Sequence, residues 1–286
     1  MKKIIGLLIT GIFVISSAAL AQESQAVFTY KVGAVEIILL SEGQRNGQSA
    51  ILIGAAPEML QQCMPDGTYP SATNAFLVRM PDKTVLIDAV TGSRLLANLQ
   101  SLGVSPEQVN AVLITHTHGD HIGGLLRDGR AAFPNADIYL TQPEYDFWTK
   151  TNNESTQKTL EAYKNKLQFI QPAEIGANAT PVLPGIKAVA AYGHTPGHAV
   201  YIVESNNEQL LIWGDLTHAM AIQMPYPQVA VTYDSNPEQA VVARKKVLEY
   251  ISKNNIPVAG MHIAFPGIGK ISKGAGEGYV FTPVSK

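Results

Sequence analysis

Residues 111–121, Ala-Val-Leu-Ile-Thr-His-Thr-His-Gly-Asp-His, restrict this chain more than any other stretch. The apolar run 111–114 is short and rich in β-branched residues, which predicts a buried strand. The polar residues after it then form the loop at the strand's end. In extended chain, residues i and i+2 point the same way, so His116 and His118 can close on one ion. A turn at Gly119 can aim Asp120 and His121 at a second position beside it. Four such donors crowded together, without salt-bridge partners nearby, do not read as an ordinary solvated loop.

The chain holds seven histidines. The four outside this stretch fall in three places, His194 with His198, His218, and His262, each at an expected strand end or loop. Asp215 closes a further apolar run, Leu-Leu-Ile-Trp-Gly-Asp. The pattern predicts a metal site assembled from the ends of several strands. Imidazole and carboxylate donors without a thiolate suit Zn²⁺, with Mn²⁺, Fe²⁺ and Co²⁺ as alternatives.

His-x-His-x-Asp-His, Gly-His-Thr-Pro-Gly-His at 193–198, Gly-Asp at 214–215 and a late His262 resemble the metallo-β-lactamase-fold hydrolase superfamily. The motifs come in the family's order and span most of the chain. The resemblance implies an α/β (α+β) fold, a four-layer αββα sandwich, as one domain over residues 22–286. It implies two divalent ions, one held by His116, His118 and His194 and the other by Asp120, His121 and His262, with Asp215 bridging them. Such a pair would hold a hydroxide for attack on a lactone, an ester or an organophosphate triester, and Asp120 could orient it.

His218 lies three residues after Asp215, where many acyl-homoserine lactonases of the superfamily carry a tyrosine. As a donor to the substrate oxygen or leaving group it joins Asp120 and Asp215 as a catalytic candidate; the alternative is a packing role. His198 is read as structural, because the family's ligand is the first histidine of its motif. Leu-Ile-Asp-Ala-Val-Thr-Gly at 86–92 stands where relatives have Leu-Ile-Asp-Thr-Gly. Asp88 is therefore expected to support the metal loop from behind, or else to cap the next helix.

A bridging aspartate points away from the true β-lactamases, and His118 in place of a glutamate points away from the diiron oxygen reductases. Residues 213–219 with Gln223 and residues 229–234, residues 262–269 with Gly278-Tyr279, and Asp146-Phe147-Trp148 resemble the exported methyl parathion hydrolase group, whose members hydrolyse organophosphate triesters and whose relatives open lactones and cleave esters. That resemblance implies an apolar, aromatic-lined pocket with Trp148 and Phe265 as walls. It also makes a homodimer a reasonable expectation. A glyoxalase II-like thioesterase and a non-catalytic exported metal-binding protein are the alternatives.

Met1-Lys2-Lys3, an apolar core and Ala19-Leu20-Ala21 predict a secretory leader cut after Ala21. The expected location is periplasmic or secreted, with no stable membrane anchor after cleavage. Losing residues 1–21 removes two lysines and no acid, leaving 19 basic against 23 acidic residues, a formal charge of −4. That balance argues against a nucleic-acid partner. Cys63 stands alone, which excludes an intrachain disulfide.

Elsewhere, paired strands are expected over 27–40 and 74–88, with helices over 93–102, 154–166 and 237–253. Residues 41–73 show no sustained period and are expected to form a loop with a short helix near 57–62.

Overall fold

The computed structural model describes residues 26–176 and 179–285. The expected leader, residues 1–21, lies outside them. Two seven-stranded sheets form the centre of the molecule. The first runs β1 (Val27–Val32), β2 (Val35–Gln48), β3 (Thr68–Arg79), β4 (Thr84–Ile87), β5 (Ala111–Leu113), β6 (Asp137–Thr141) and β7 (Leu167–Ile170). The second runs β8 (Thr180–Leu183), β9 (Ile186–Ala190), β10 (Ala199–Ser205), β11 (Glu208–Ile212), β12 (Val258–Ala259), β13 (Ile268–Lys273) and β14 (Tyr279–Pro283). In each sheet the spatial order follows the chain order. The strands β4 to β7 are parallel, as are β11 and β12; the other pairs are antiparallel.

The alternation of side chains along each strand sorts the apolar residues into three layers. Leu39, Phe76, Ile87 and Leu113 of the first sheet meet Ile186, Tyr201, Leu210 and Ile268 of the second, forming the centre of the sandwich. Leu40, Leu77, Val112 and Leu140 face the other way, onto helices that contribute Leu95, Leu99 and Leu160. Val200, Ile202, Leu211 and Val258 face a long helix, Pro237–Asn254, through its Val247, Leu248 and Ile251. These layers are the expected αββα arrangement. Strands covered on both faces read as continuous apolar runs, which is why they are easily found in the sequence.

Residues 41–73 are not the expected loop. β2 continues to Gln48 and β3 begins at Thr68, and the two pair throughout in one long antiparallel arm with a bulge between Ser41 and Gly43. The expected helix is present as α1 (Pro57–Cys63) near the arm's tip. The outer half of β2 exposes Gln44, Arg45 and Asn46 and leaves Glu42 half-buried, so no apolar alternation announces a strand there. The arm is held by its backbone ladder and by docking of its tip. Met64 and Tyr69 pack with Ala219, Ile222 and Val229, and Leu52–Ile53 pairs with Ala230–Val231. Thus the arm of the first sheet covers the segment that follows Asp215.

Among the described residues, no helix is long and apolar enough to cross a membrane.

Candidate metal centre

The seven candidate ligands stand at one rim of the sandwich, beyond the carboxyl ends of strands. β5 ends at Leu113, and residues 114–118 carry His116 and His118 out of the sheet. α2 (Leu95–Ser101) lies earlier in the chain, and α3 (Gly119–Ile122) follows at once. Asp120 and His121 therefore ride on a helical turn and not on an irregular loop. His194 occupies the turn between β9 and β10, Asp215 follows β11, and His262 follows β12. The sandwich core reaches up to this rim, where the buried Tyr201 hydroxyl donates to Ile114 O at 2.8 Å and fixes the end of the metal strand.

Two donor groups result. His116 Nε2 lies 2.9 Å from His118 Nδ1, and His194 Nε2 lies 3.2 and 3.1 Å from those two atoms. Asp120, His121 and His262 form the second group, with His121 Nε2 3.7 Å and His262 Nε2 3.6 Å from the Asp120 carboxylate. Asp215 touches both groups: its Oδ2 is 3.3 Å from His194 Nε2 and 3.2 Å from His262 Nε2, and its Oδ1 is 3.1 Å from His121 Nε2. Ring nitrogens aimed at one another at such distances repel unless a proton or a cation lies between them. His121 Nε2 and Asp215 Oδ1 are buried and make no hydrogen bond at all. The donor set and these orphaned atoms fit divalent metal ions.

The far side of each ring shows why these nitrogens face inward. His194 Nδ1 meets Asp234 Oδ1 at 2.9 Å, His121 Nδ1 meets Asp88 Oδ2 at 2.6 Å, and His262 Nδ1 meets Ala72 O at 2.9 Å. A proton held on Nδ1 by such a partner leaves Nε2 free to ligate. Asp88 also accepts from Thr115 N and Thr115 Oγ1, both at 2.7 Å. It stands behind the metal loop and does not cap α2, which begins at Leu95. His198 is buried away from the donor groups. Its Nδ1 donates to Ala191 O and its Nε2 accepts from Asp215 N, both at 3.0 Å, so it braces the backbone of Asp215.

The charges follow from burial and neighbours. Burial, with His194 close by, pushes His118 down to about 3, and burial also holds His116 well below the ordinary imidazole value. Burial opposes a charge on His121 too, but Asp215 and Asp88 outweigh it and hold that ring well above its usual value. Burial likewise opposes a charge on His194, yet hydrogen bonds to Asp215 and Asp234 lift it to about 9. Burial alone would raise Asp215, but the histidines around it, His121 first, hold its carboxyl well below the usual range. Burial opposes a charge on His262 as well, but Asp215 and Asp120 outweigh it and raise that ring, so three of the rings favour a proton that an ion would have to displace.

The remaining expected residues are spread around this cluster. His218 Nε2 is 2.9 Å from Asp215 Oδ2, its ring stacks on His262 at 5.0 Å, and its Nδ1 is buried without a partner. Trp148 stands edge-on to His118 at 5.4 Å. Phe265 packs edge-on against Phe28 at 5.9 Å, three residues beyond His262.

Several supporting residues carry roles that the sequence did not assign. Asp234 orients His194, and Gln223 accepts from the backbone of His218 and Ala219. Arg244, on the long helix, is buried and donates to Leu216 O, Pro227 O and Val229 O. Glu144 is buried between the first two histidine motifs. The signal available for Asp234 and Glu144 was an acid placed next to a helix start, which reads equally well as capping.

The Metallo-beta-lactamase superfamily model matches residues 68–255. An N-acyl homoserine lactonase of Bacillus cereus is 24% identical over 156 residues, 54% of this chain and 57% of that protein. A second, from a Bacillus species, is 29% identical over 112 residues, 39% of this chain and 40% of that protein. The chain thus spans about half the length of these curated relatives. The solved structure of AidC, a dizinc quorum-quenching lactonase in complex with a product, superposes with a TM-score of 0.82 at 26% identity, covering 91% of this chain and 98% of that one. AbOPH, a hydrolase of the beta-lactamase superfamily, superposes at 0.79 with 29% identity, covering 91% and 98%. With well over half its length inside that family's model, and the αββα layers built around its histidine motifs, the chain belongs to the metallo-beta-lactamase superfamily.

Proposed function

We propose that this protein is an exported, binuclear metal-dependent hydrolase that opens lactones, with organophosphate triesters as further substrates of the same centre. The observation that carries the reading is Asp215, whose carboxylate stands between the two donor groups, Oδ2 within 3.3 Å of His194 and 3.2 Å of His262 and Oδ1 within 3.1 Å of His121. His116, His118 and His194 would hold one ion, Asp120, His121 and His262 the other, and Asp215 both. When bound, two divalent ions, most simply Zn²⁺, supply Lewis acidity and a water acidified enough to act as nucleophile at neutral pH. The likeness to AidC, along nearly the whole chain, supports lactones as the substrate class.

The protein's own residues define how a substrate would approach. His116 and His121 are fully buried, while Asp120 keeps 32% of its side chain exposed, so the cluster opens on the Asp120 side. Trp148 stands beside His118, with Phe147 against it at 5.3 Å. Tyr233, largely exposed, lies 5.9 Å from His218. These rings give an acyl chain or an aryl leaving group an apolar surface. Burial pushes His218 down to about 4 against the pull of Asp215, so it stays neutral and serves as a hydrogen-bonding group beside the reacting carbonyl or phosphoryl. The buried aspartate next to it keeps its ring in place.

Initial rates for the mature, zinc-loaded protein on a long-chain acyl lactone and on methyl parathion test this reading, with Asp215→Ala as the blank. A lactone rate far above the triester rate is expected. The reverse order would make triesters the primary substrates. A protein that holds two ions and turns over neither would redirect the search to thioesters, and then to a non-catalytic metal-binding role. Cleavage after Ala21 and a dimeric state belong to the same proposal, checked by N-terminal sequencing and sedimentation.

A further inference from the structure

Glu144 lies in the first turn of α4 (Gln142–Thr149), with its side chain buried at 1% exposure. All five of its side-chain partners donate. Oε1 accepts from Thr117 N at 2.8 Å, Thr117 Oγ1 at 3.1 Å and Trp148 Nε1 at 2.8 Å. Oε2 accepts from Thr195 Oγ1 at 2.6 Å and Gly197 N at 3.0 Å. Thr117 stands between His116 and His118, and Thr195 follows His194. One carboxylate therefore ties the strand-end ligands of the first sheet to the turn ligand of the second, and ties both to the ring beside His118.

The fit is close. A Cβ on Gly197 would collide with Thr141 Oγ1 and with Glu144 itself, so the helix start is seated directly on the turn. Thr141 Oγ1 donates to Gly197 O at 2.8 Å, closing the contact from the other side. A residue that merely filled this space would be apolar, since burying a carboxylate costs far more than burying a methyl group. An amide in its place would turn an NH₂ group toward donors and leave at least one of them unsatisfied.

We infer that Glu144 is a positioning residue that holds His116, His118 and His194 at ion-binding spacing and fixes Trp148 against them, so that metal occupancy and the pocket wall are coupled. Its role passes through Thr117, Thr195, Gly197 and Trp148. The inference rests on the reading of the site as a two-ion centre. It goes beyond that reading by giving the first ion's three ligands a shared point of control outside the ligand set.

The test is a zinc titration against a competing chelator, with tryptophan emission followed in parallel, on the wild-type protein and on Glu144→Gln. Wild type is expected to take two equivalents and to change its emission on filling. Glu144→Gln is expected to lose about 10- to 100-fold in affinity for one equivalent, the usual effect of removing an outer partner of metal ligands. The other equivalent should keep its wild-type affinity, and the emission change should disappear. Thr195→Val removes a single donor at little risk to folding and is expected to cause the same selective loss, only smaller. Trp148→Phe should abolish the emission change, leave both affinities intact and raise KM.

Two equivalents bound by Glu144→Gln or Thr195→Val with wild-type affinity would overturn the inference. So would a parallel loss of both equivalents that tracked a lower melting temperature of the metal-free variant, because that is the mark of general destabilisation. A wild-type protein that took up fewer than two equivalents would instead bring down the two-ion reading, and this inference with it.

Discussion

Asp88 Oδ2 lies 2.6 Å from His121 Nδ1, and both side chains are fully buried. The acid sits at φ 58°, in the left-handed region that a non-glycine residue rarely occupies. That backbone turn is what brings its carboxylate under Thr115 as well as His121. Asp88→Ala should therefore strand three buried donors at once. A loss of about 3–5 kcal/mol in stability is expected, typical of breaking a buried pair from one side, and chemical denaturation measures it. Asp88→Asn should lose less stability but still weaken zinc binding by about tenfold or more.

His218 presents a different case, because its neighbours hold it although it is not one of the seven proposed ligands. Replacing it with phenylalanine keeps an aromatic ring against His262 and removes both nitrogens. We expect zinc stoichiometry to stay at its wild-type value while kcat falls by about 10²-fold, the lower end of what one hydrogen-bond donor to a developing oxyanion contributes. Unchanged kcat would assign His218 to packing alone.

Chelation should abolish hydrolysis, and Zn²⁺ should restore it. An ion that binds only the folded chain also stabilises it, by about 2.7 kcal/mol when its free concentration is 100 times Kd. The metal-free protein is therefore expected to melt below the loaded one, by a gap that grows with free zinc. Scanning calorimetry at several zinc concentrations reads this directly.

The raised value of His194, about 9, sets a pH dependence for the metal-free protein. A group raised on folding contributes stability that is complete below its unfolded value of 6.5 and lost as pH climbs through about 9. The contribution comes from Asp215 and Asp234, so it should be smaller in Asp234→Asn, with the part due to Asp215 remaining. Over the same window zinc affinity should increase, since the proton that competes for His194 Nε2 is leaving. Melting temperatures of the metal-free protein and zinc competition at pH 6.5 and 8.5 check both signs.

Arg244 is fully buried and gives its guanidinium to three backbone carbonyls between Leu216 and Val229. Burial pushes it down to about 10, which still leaves it charged at neutral pH. Arg244→Met should leave Leu216 O and Pro227 O without their donor, while Val229 O keeps Gln223 Nε2, and should cost about 2–4 kcal/mol; Arg244→Lys should recover little, because a single ammonium cannot span three acceptors. Urea unfolding distinguishes the two.

The residues that the sequence disclosed and those it hid differ in where their partners lie. His116, His118, Asp120 and His121 are legible because unusual donor types crowd together after an apolar strand. Asp88 is legible through its motif. Glu144 and Asp234 are not, because the partners that tie them to the histidine motifs, Thr117 and Thr195 for one and His194 for the other, lie tens of residues away, and locally each looks like an acid near a helix start. Arg244 sits among the charged positions of an amphipathic helix and is buried only because the segment after Asp215 folds over it. The arm formed by β2 and β3 escaped notice for a related reason: its outer half is polar on both faces, and backbone pairing leaves no mark in a hydrophobic pattern.

The sequential order of strands means that a cut between β7 and β8 would divide the molecule into two contiguous pieces, each keeping one whole sheet. The first piece would carry His116, His118, Asp120 and His121, and the second His194, Asp215 and His262. Neither donor group closes on one piece when Asp215 and its neighbours come from the other. Ion uptake by a mixture of the two fragments would therefore report their reassembly, with the centre acting as a lock that engages only when both halves are in register.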